Sequence, residues 1–305
     1  MIQAICLVAL MIVVALRARS SWHKPAWWAT AFGAIAVATY GILWATPVVL
    51  DGMLGGRNLL TLVRDAAAVA AVWFFHNAVA AQQRKPEKKL PAWGLGLAVL
   101  SFTVPFLLIS RPGPTSSAFV LDRLDQFPVW LFSSVYIFIV GALAARAIAL
   151  LSSEKTVMTR FYVLGLSLML VGSIIELMYL AATHFGPTNP DFRESLYYVA
   201  ERPFFGGIFI TVLGFLWVYA VRVFWTHLAR WTLRIDARHE GGEYLARSLA
   251  TSSENGWSDR QLAVNSAVNI RDRLKIGTQA LSRREHALFS GVEHLLSNHL
   301  ERTPR

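Results

Sequence analysis

Charge is scarce in this chain: Asp, Glu, Lys and Arg make up 16% of its 305 residues, against 55% apolar. That balance is too apolar for a soluble protein of this length, where about a quarter of residues are charged. There is one cysteine, Cys6, so an intrachain disulfide is excluded. Lysine is missing from the whole run 204–229, which excludes a retinal protein, because that chemistry needs a Schiff-base lysine in the last helix. No His-Glu-x-x-His, no Gly-x-Ser-x-Gly and no phosphate-binding glycine loop followed by Lys occurs. His286, His294 and His299 are spaced by eight and five residues and share no helix face, so they read as surface histidines and not as zinc ligands. The residues predict no enzyme, no metal site and no cofactor.

What the chain has instead is seven long apolar runs: 2–16, 26–49, 58–82, 91–110, 127–150, 161–183 and 204–229. A bilayer core of about 30 Å takes roughly 20 residues of helix to cross. The expected fold is therefore all-α: a polytopic membrane protein with seven transmembrane helices over 1–230 and a cytoplasmic helical tail over 231–305. The first run resembles a signal peptide only in length. Its basic residues, Arg17 and Arg19, come after the apolar stretch and none precedes it, so an uncleaved first helix is expected. Trp22, Trp27, Trp28, Trp44, Trp93 and Trp225 fall near the ends of runs and read as interface anchors.

Basic residues in short loops mark the cytoplasmic side. The odd loops carry Arg17, Arg19 and Lys24; Arg84, Lys85, Lys88 and Lys89; and Arg146, Lys155 and Arg160. The even loops are poorer, with Arg57, then Arg111 and Arg123, then Arg193 and Arg202. Odd loops thus read as inside, the N-terminus as outside and the C-terminus as cytoplasmic, in the plasma membrane. Residues 1–230 hold 18 Lys/Arg against 10 Asp/Glu, while 231–305 hold 11 against 9. The basic surplus is juxtamembrane, which fits anionic lipid head groups and not nucleic acid.

Ionisable groups inside a span are costly and mark candidate sites. The third run holds Arg64, Asp65 and His76. Asn58, Thr61, Asp65 and His76 return close to one helix face at about 100° per residue, with Arg64 one residue off it. Glu176 in the sixth run, with Ser173 and Tyr179 a turn either side, lies at the same depth as Arg64 by helical rise. The candidate ligand or polar-core residues are therefore Asn58, Thr61, Arg64, Asp65, His76, Glu176 and Tyr179, with an Arg64–Glu176 pair between the third and sixth helices allowed. A structural polar clamp is the competing reading. Asp51, Arg57, Asp122, Arg123, Asp125, Glu201 and Arg202 read as a solvated rim, and Pro203 as opening the seventh helix at its first turn.

The tail changes character. Ser258–Gln261 and Ser282–Glu285 fit capping boxes, which predicts helices over about 259–281 and 283–300, with a shorter one near 244–249. Ala263, Ala267, Ile270, Leu274 and Leu281 share one face of the first long helix; Leu288, Phe289, Val292, Leu295 and Leu296 share one face of the second. Ile270, Leu274, Leu288, Val292 and Leu296 are the candidate interface, covered by each other, by the preceding helix, by a cytoplasmic partner or by another protomer, while Arg271, Asp272 and Arg284 stay in water.

Thr46-Pro47, Gly55-Gly56-Arg57-Asn58-Leu59 before a long third helix, and Val268-Asn269-Ile270-Arg271-Asp272-Arg273-Leu274 in the tail carry a resemblance. The chain resembles an actinobacterial family of seven-helix membrane proteins with a helical C-terminal domain, commonly labelled transporters. It departs from the family's Leu-Arg-Pro-Tyr-like continuation, reading Lys275-Ile276-Gly277-Thr278-Gln279 there. The resemblance implies the architecture and the transporter label. From the residues, three roles compete: a non-enzymatic sensor or receptor relaying a membrane or ligand state through the tail, a small-solute transporter, and a membrane anchor that assembles partners.

Overall fold

A computed structural model of the chain describes residues 2–41, 45–83, 85–113, 115–116, 119–153, 156–186, 190–240, 259–276 and 289–290. The elements among them are all helical. They are α1 (Ile2–Ser21), α2 (Pro25–Ala38), α3 (Pro47–Met53), α4 (Leu59–Gln82), α5 (Ala92–Leu107), α6 (Phe119–Asp122), α7 (Phe127–Leu151), α8 (Val157–Phe185), α9 (Pro190–Glu240) and α10 (Asp259–Ile276), with a 3-10 turn at Pro86–Lys88. Among the described residues, five segments are long and apolar enough to cross a membrane: Leu59–Gln82, Pro86–Leu107, Phe127–Leu151, Met158–Phe185 and Arg202–Ile235. Two shorter apolar helices, Ile5–Leu16 and Pro25–Ala38, precede them. Leu97, Leu107, Phe138, Leu164 and Met178 on these helices are each more than half exposed. Apolar surface repeated on so many helices suits hydrocarbon and not water, so the chain is read as a multi-pass membrane protein.

Two expected boundaries are corrected. The second run, read as one helix over 26–49, is broken. Helix α2 stops at Ala38, Gly41 takes a positive φ of 118°, and a new helix opens at Pro47 behind Thr46. The Thr46 hydroxyl accepts the Val49 N–H, an N-cap with Pro at the first helical position. Pro203 does not open the seventh helix either. It sits inside α9, which starts at Pro190; the ring leaves the Val199 carbonyl without its helical donor.

The chain forms two compact units, Met1–Trp217 and Val218–Arg305, and α9 contributes to both. In the first, α4 packs between α2 and α7, α1 lies on α2, α5 on α4 and α7, and α7 on α8. Small residues permit the close approach: Ala29, Ala34 and Ala36 of α2 and Ala67, Ala70 and Ala80 of α4 are buried. Helices α8 and α9 meet through glycine. A Cβ on Gly172 would lie 2.8 Å from the Phe204 nitrogen, and one on Gly207 would run into the Gly165 carbonyl. Phe102, Phe106 and Phe132 fill the layer between α5 and α7, with ring centroids 5.1 Å apart for Phe106 and Phe132.

In the second unit, Ala263, Ala267 and Ile270 of α10 are buried against the end of α9. Ile235, Trp231, Leu228 and Trp225 pack there, together with Phe289. The predicted apolar face is thus the packed one, and Ile270 is fully buried by its own chain. That leaves Ile270 no surface for a partner. Leu274 is half-buried beside it, and Arg271 and Asp272 are exposed as expected. Leu281, Leu288, Val292, Leu295, Leu296, Arg284, both predicted capping serines and the helix expected near 244–249 lie outside the described residues. Trp225, whose place near a span end suggested an interface anchor, belongs to this core.

Candidate functional site

The site begins with how α4 starts. Asn58 stands at its N-cap with φ 60°, the left-handed region, and offers the helix no side-chain cap. Asp51, from the end of α3, supplies the cap from seven residues away. Its carboxylate accepts the Asn58 N–H at 2.8 Å and the Leu60 N–H at 2.7 Å, and also takes the Thr115 hydroxyl. A carboxylate at a helix N-terminus satisfies orphan donors and faces the positive end of the dipole. Asn58 is then free to latch the loop before α6: its amide donates to the Pro112 carbonyl at 3.1 Å and accepts the Ser116 N–H at 3.0 Å. Asp51 is fully buried, so it is withdrawn from the expected solvated rim.

This start positions Thr61, Arg64 and Asp65 in the first two turns of α4. Arg64 Nε lies 3.0 Å from Asp65 Oδ1, with side-chain exposures of 25% and 3%. Its guanidinium also lies 5.1 Å from the centroid of the Tyr40 ring, within cation–π range. Tyr40 is in turn edge-on to Phe205, at 5.7 Å.

These groups wall a cavity of about 150 Å³ at the end of the bundle that carries the even loops. Helix α4 gives Thr61, Arg64 and Asp65; α7 gives Ser133, Tyr136 and Ile137; α8 gives Glu176, Tyr179 and Leu180; α9 gives Ala200, Phe204 and Phe205. Tyr40 and the segment Phe119–Leu121 complete the wall. One guanidinium and two carboxylates thus share a small volume with three tyrosines. Ser133 stands out chemically. Buried hydroxyls such as Thr30 and Ser173 bond back along their own helix, to Ala26 O and Met169 O at 2.9 Å each, whereas Thr183, away from the cavity wall, shares the state of Ser133. The Ser133 Oγ is buried with no hydrogen-bond partner among the described residues, although a buried hydroxyl without one costs free energy.

Of the seven residues expected to form the polar core, five come together: Thr61, Arg64, Asp65, Glu176 and Tyr179. Glu176 and Arg64 share the cavity, and the ion pair observed for Arg64 is with its neighbour Asp65. Helices α4 and α8 also meet further along, where Phe75 is edge-on to Tyr162 at 5.3 Å. Asn58 does not line this cavity; it borders a smaller one of about 50 Å³ with Asp51, Thr115 and Ser116. His76 is buried 11 residues farther along α4, about 16 Å away by helical rise, and takes no part. Tyr40, Ser133 and Tyr136 were not anticipated. The spacing of Ser133 and Tyr136 by three residues inside an apolar run is the signal that marks a polar face there. Among the described residues no group of three or more His, Cys, Asp or Glu is placed to hold a metal ion.

No family model, no curated protein and no solved structure matches the chain.

Proposed function

We propose that this is a non-enzymatic, receptor-like protein of the plasma membrane that binds a small polar solute in the cavity around Arg64, Asp65 and Glu176. In this reading the chain crosses the bilayer seven times, with the N-terminus outside and the C-terminus in the cytoplasm, so the cavity opens toward the outer face. The basic odd loops support that orientation. Helices α1 and α2 provide the first two crossings. At 14 residues, or about 21 Å, α2 needs the residues after Ala38 to complete its crossing.

The observation that carries the proposal is the cavity itself: six chain segments wall it, α4 and α8 bring charges of both signs to it, and α7 adds a buried hydroxyl without a partner among the described residues. A structural clamp would need the ion pair alone; it would not need space or a spare donor. Relay is supported by α9, which sends Phe204 and Phe205 to the cavity and Trp225, Leu228 and Leu233 to the core of the second unit. A bound solute that contacts α9 differently in two states would bias that helix. The second unit would then engage a cytoplasmic partner or another protomer. The transporter role implied by the family resemblance is the second reading. An apolar cavity that adjoins the polar one favours it, by extending the site into the bundle.

The test is a panel of small polar solutes screened by thermal unfolding of the full chain in lipid nanodiscs. A stabilising solute should lose its effect in Glu176→Gln and Arg64→Gln but keep it in Asp122→Ala, whose exposed carboxylate accepts the Ser116 hydroxyl at 2.7 Å. Uptake of the same solute into proteoliposomes would replace the receptor reading with transport. Stabilisation that survives both cavity substitutions would refute the site.

A further inference from the structure

We infer that the polar cavity is one half of a larger site, whose occupant is a small amphiphilic zwitterion: an ammonium and an anionic group at one end, an apolar remainder at the other. The inference rests on the reading of the polar cavity as a ligand site and specifies the ligand's chemistry.

A second cavity of about 130 Å³ lies among α1, α2, α4, α7, α8 and α9. Its walls are apolar, with Leu10, Val37, Val72, Val140, Met169 and Ile208 among them. It shares Tyr40, Arg64, Tyr136, Phe204 and Phe205 with the polar cavity, so the two adjoin along those five side chains. Apolar walls held apart over this volume forfeit contacts that a packed core would make. Filling it with the apolar end of a ligand recovers them.

The polar half selects the head group. Arg64 stands at the junction and is already neutralised by Asp65 at 3.0 Å. A ligand carrying only a negative charge would take Arg64 and leave the Asp65 carboxylate buried without its cation, which is strongly unfavourable. A zwitterion supplies a counter-charge to both members of the Arg64–Asp65 pair. Its anionic group pairs with Arg64, its ammonium with Asp65 and Glu176, and the tyrosine faces add attraction for the ammonium. Ser133 Oγ has a free donor and acceptor for either group. Apolar α-amino acids have this chemistry and this size.

The experiment measures binding of glycine, alanine, leucine and phenylalanine to the full chain in nanodiscs by isothermal titration calorimetry. Affinity should rise about fourfold per methylene that enters the apolar half. Phenylalanine should bind at least tenfold more tightly than 2-phenylethylamine or 3-phenylpropanoate, each of which lacks one charge. Ala68 and Ala71 line only the apolar cavity. Ala68→Leu should erase the gain with side-chain size while leaving glycine affinity within twofold, and Ala71→Leu serves the same purpose if Ala68→Leu fails to fold. Glycine binding with no gain along the series overturns the amphiphile inference and leaves the polar site standing. Equal affinity for phenylethylamine and phenylalanine overturns the zwitterion. If none of these compounds binds while another polar solute stabilises the protein through Glu176, this inference fails alone; if no solute does, the site itself falls with it.

Discussion

Replacing Asp51 by Ala removes a fully buried carboxylate that holds the N-terminus of α4 and, through Thr115, the loop beside the cavity. The Asn58 and Leu60 N–H groups lose their acceptor, and Asn58 cannot replace it, because its own side chain is spent on Pro112 and Ser116. Each buried donor left unpaired costs about 1–3 kcal/mol, so Asp51→Ala should destabilise the chain by about 2–6 kcal/mol. Asp51→Asn keeps one acceptor oxygen and should cost about half as much, about 1–3 kcal/mol. Asp122→Ala, at an exposed hydrogen bond, should fall within about 0.5 kcal/mol of wild type. The assay is detergent-induced unfolding of the purified protein followed by tryptophan fluorescence, with the three variants compared under one set of conditions. An Asp51→Ala midpoint that coincides with wild type would refute the remote cap as a source of stability.

The remaining predictions concern the bundle, the second unit and the orientation. Gly207→Val puts a branched side chain where the Gly165 backbone lies and should cost about 1–3 kcal/mol or more, read as lost folded yield, while Gly206→Val, where a Cβ meets open space, should be far milder. Ile270→Asp buries a carboxylate in the second unit's core and should unfold that unit while the spans still insert; Val268→Asp, at an exposed position, should be close to neutral. Limited proteolysis of the membrane-bound protein distinguishes these two, and equal protection would count against the packing of α10. Single-cysteine labelling in a Cys6→Ala background should find residues 85–89 inaccessible from outside and Asp122 accessible; the reverse pattern would invert the orientation.

Periodicity and charge by themselves make part of this molecule legible. The apolar runs mark the helices because backbone groups in hydrocarbon must be satisfied within the segment. Thr61 and Asp65 fall on one face, and the matching depths of Arg64 and Glu176 bring them to one end of the bundle; both follow from helical rise and turn alone. The face of α10 is equally readable, since Ala263, Ala267 and Ile270 recur at the spacing that a buried stripe requires. Tertiary structure decided the rest. A sequence gives each residue's angle about its own helix axis but not the neighbour that angle meets, so Tyr40, Ser133 and Tyr136 joined the site only when α2, α4 and α7 packed. Asp51 looked like a rim charge because its partners, the N–H groups of Asn58 and Leu60, are brought to it by the positive-φ turn through Gly55, Gly56 and Asn58, a reversal that hydropathy does not encode. The break after Ala38 and the passage of α9 through Pro203 were hidden for the same reason. Whether a backbone group at such a point finds a partner depends on the packing around it, and packing is a property of the folded chain.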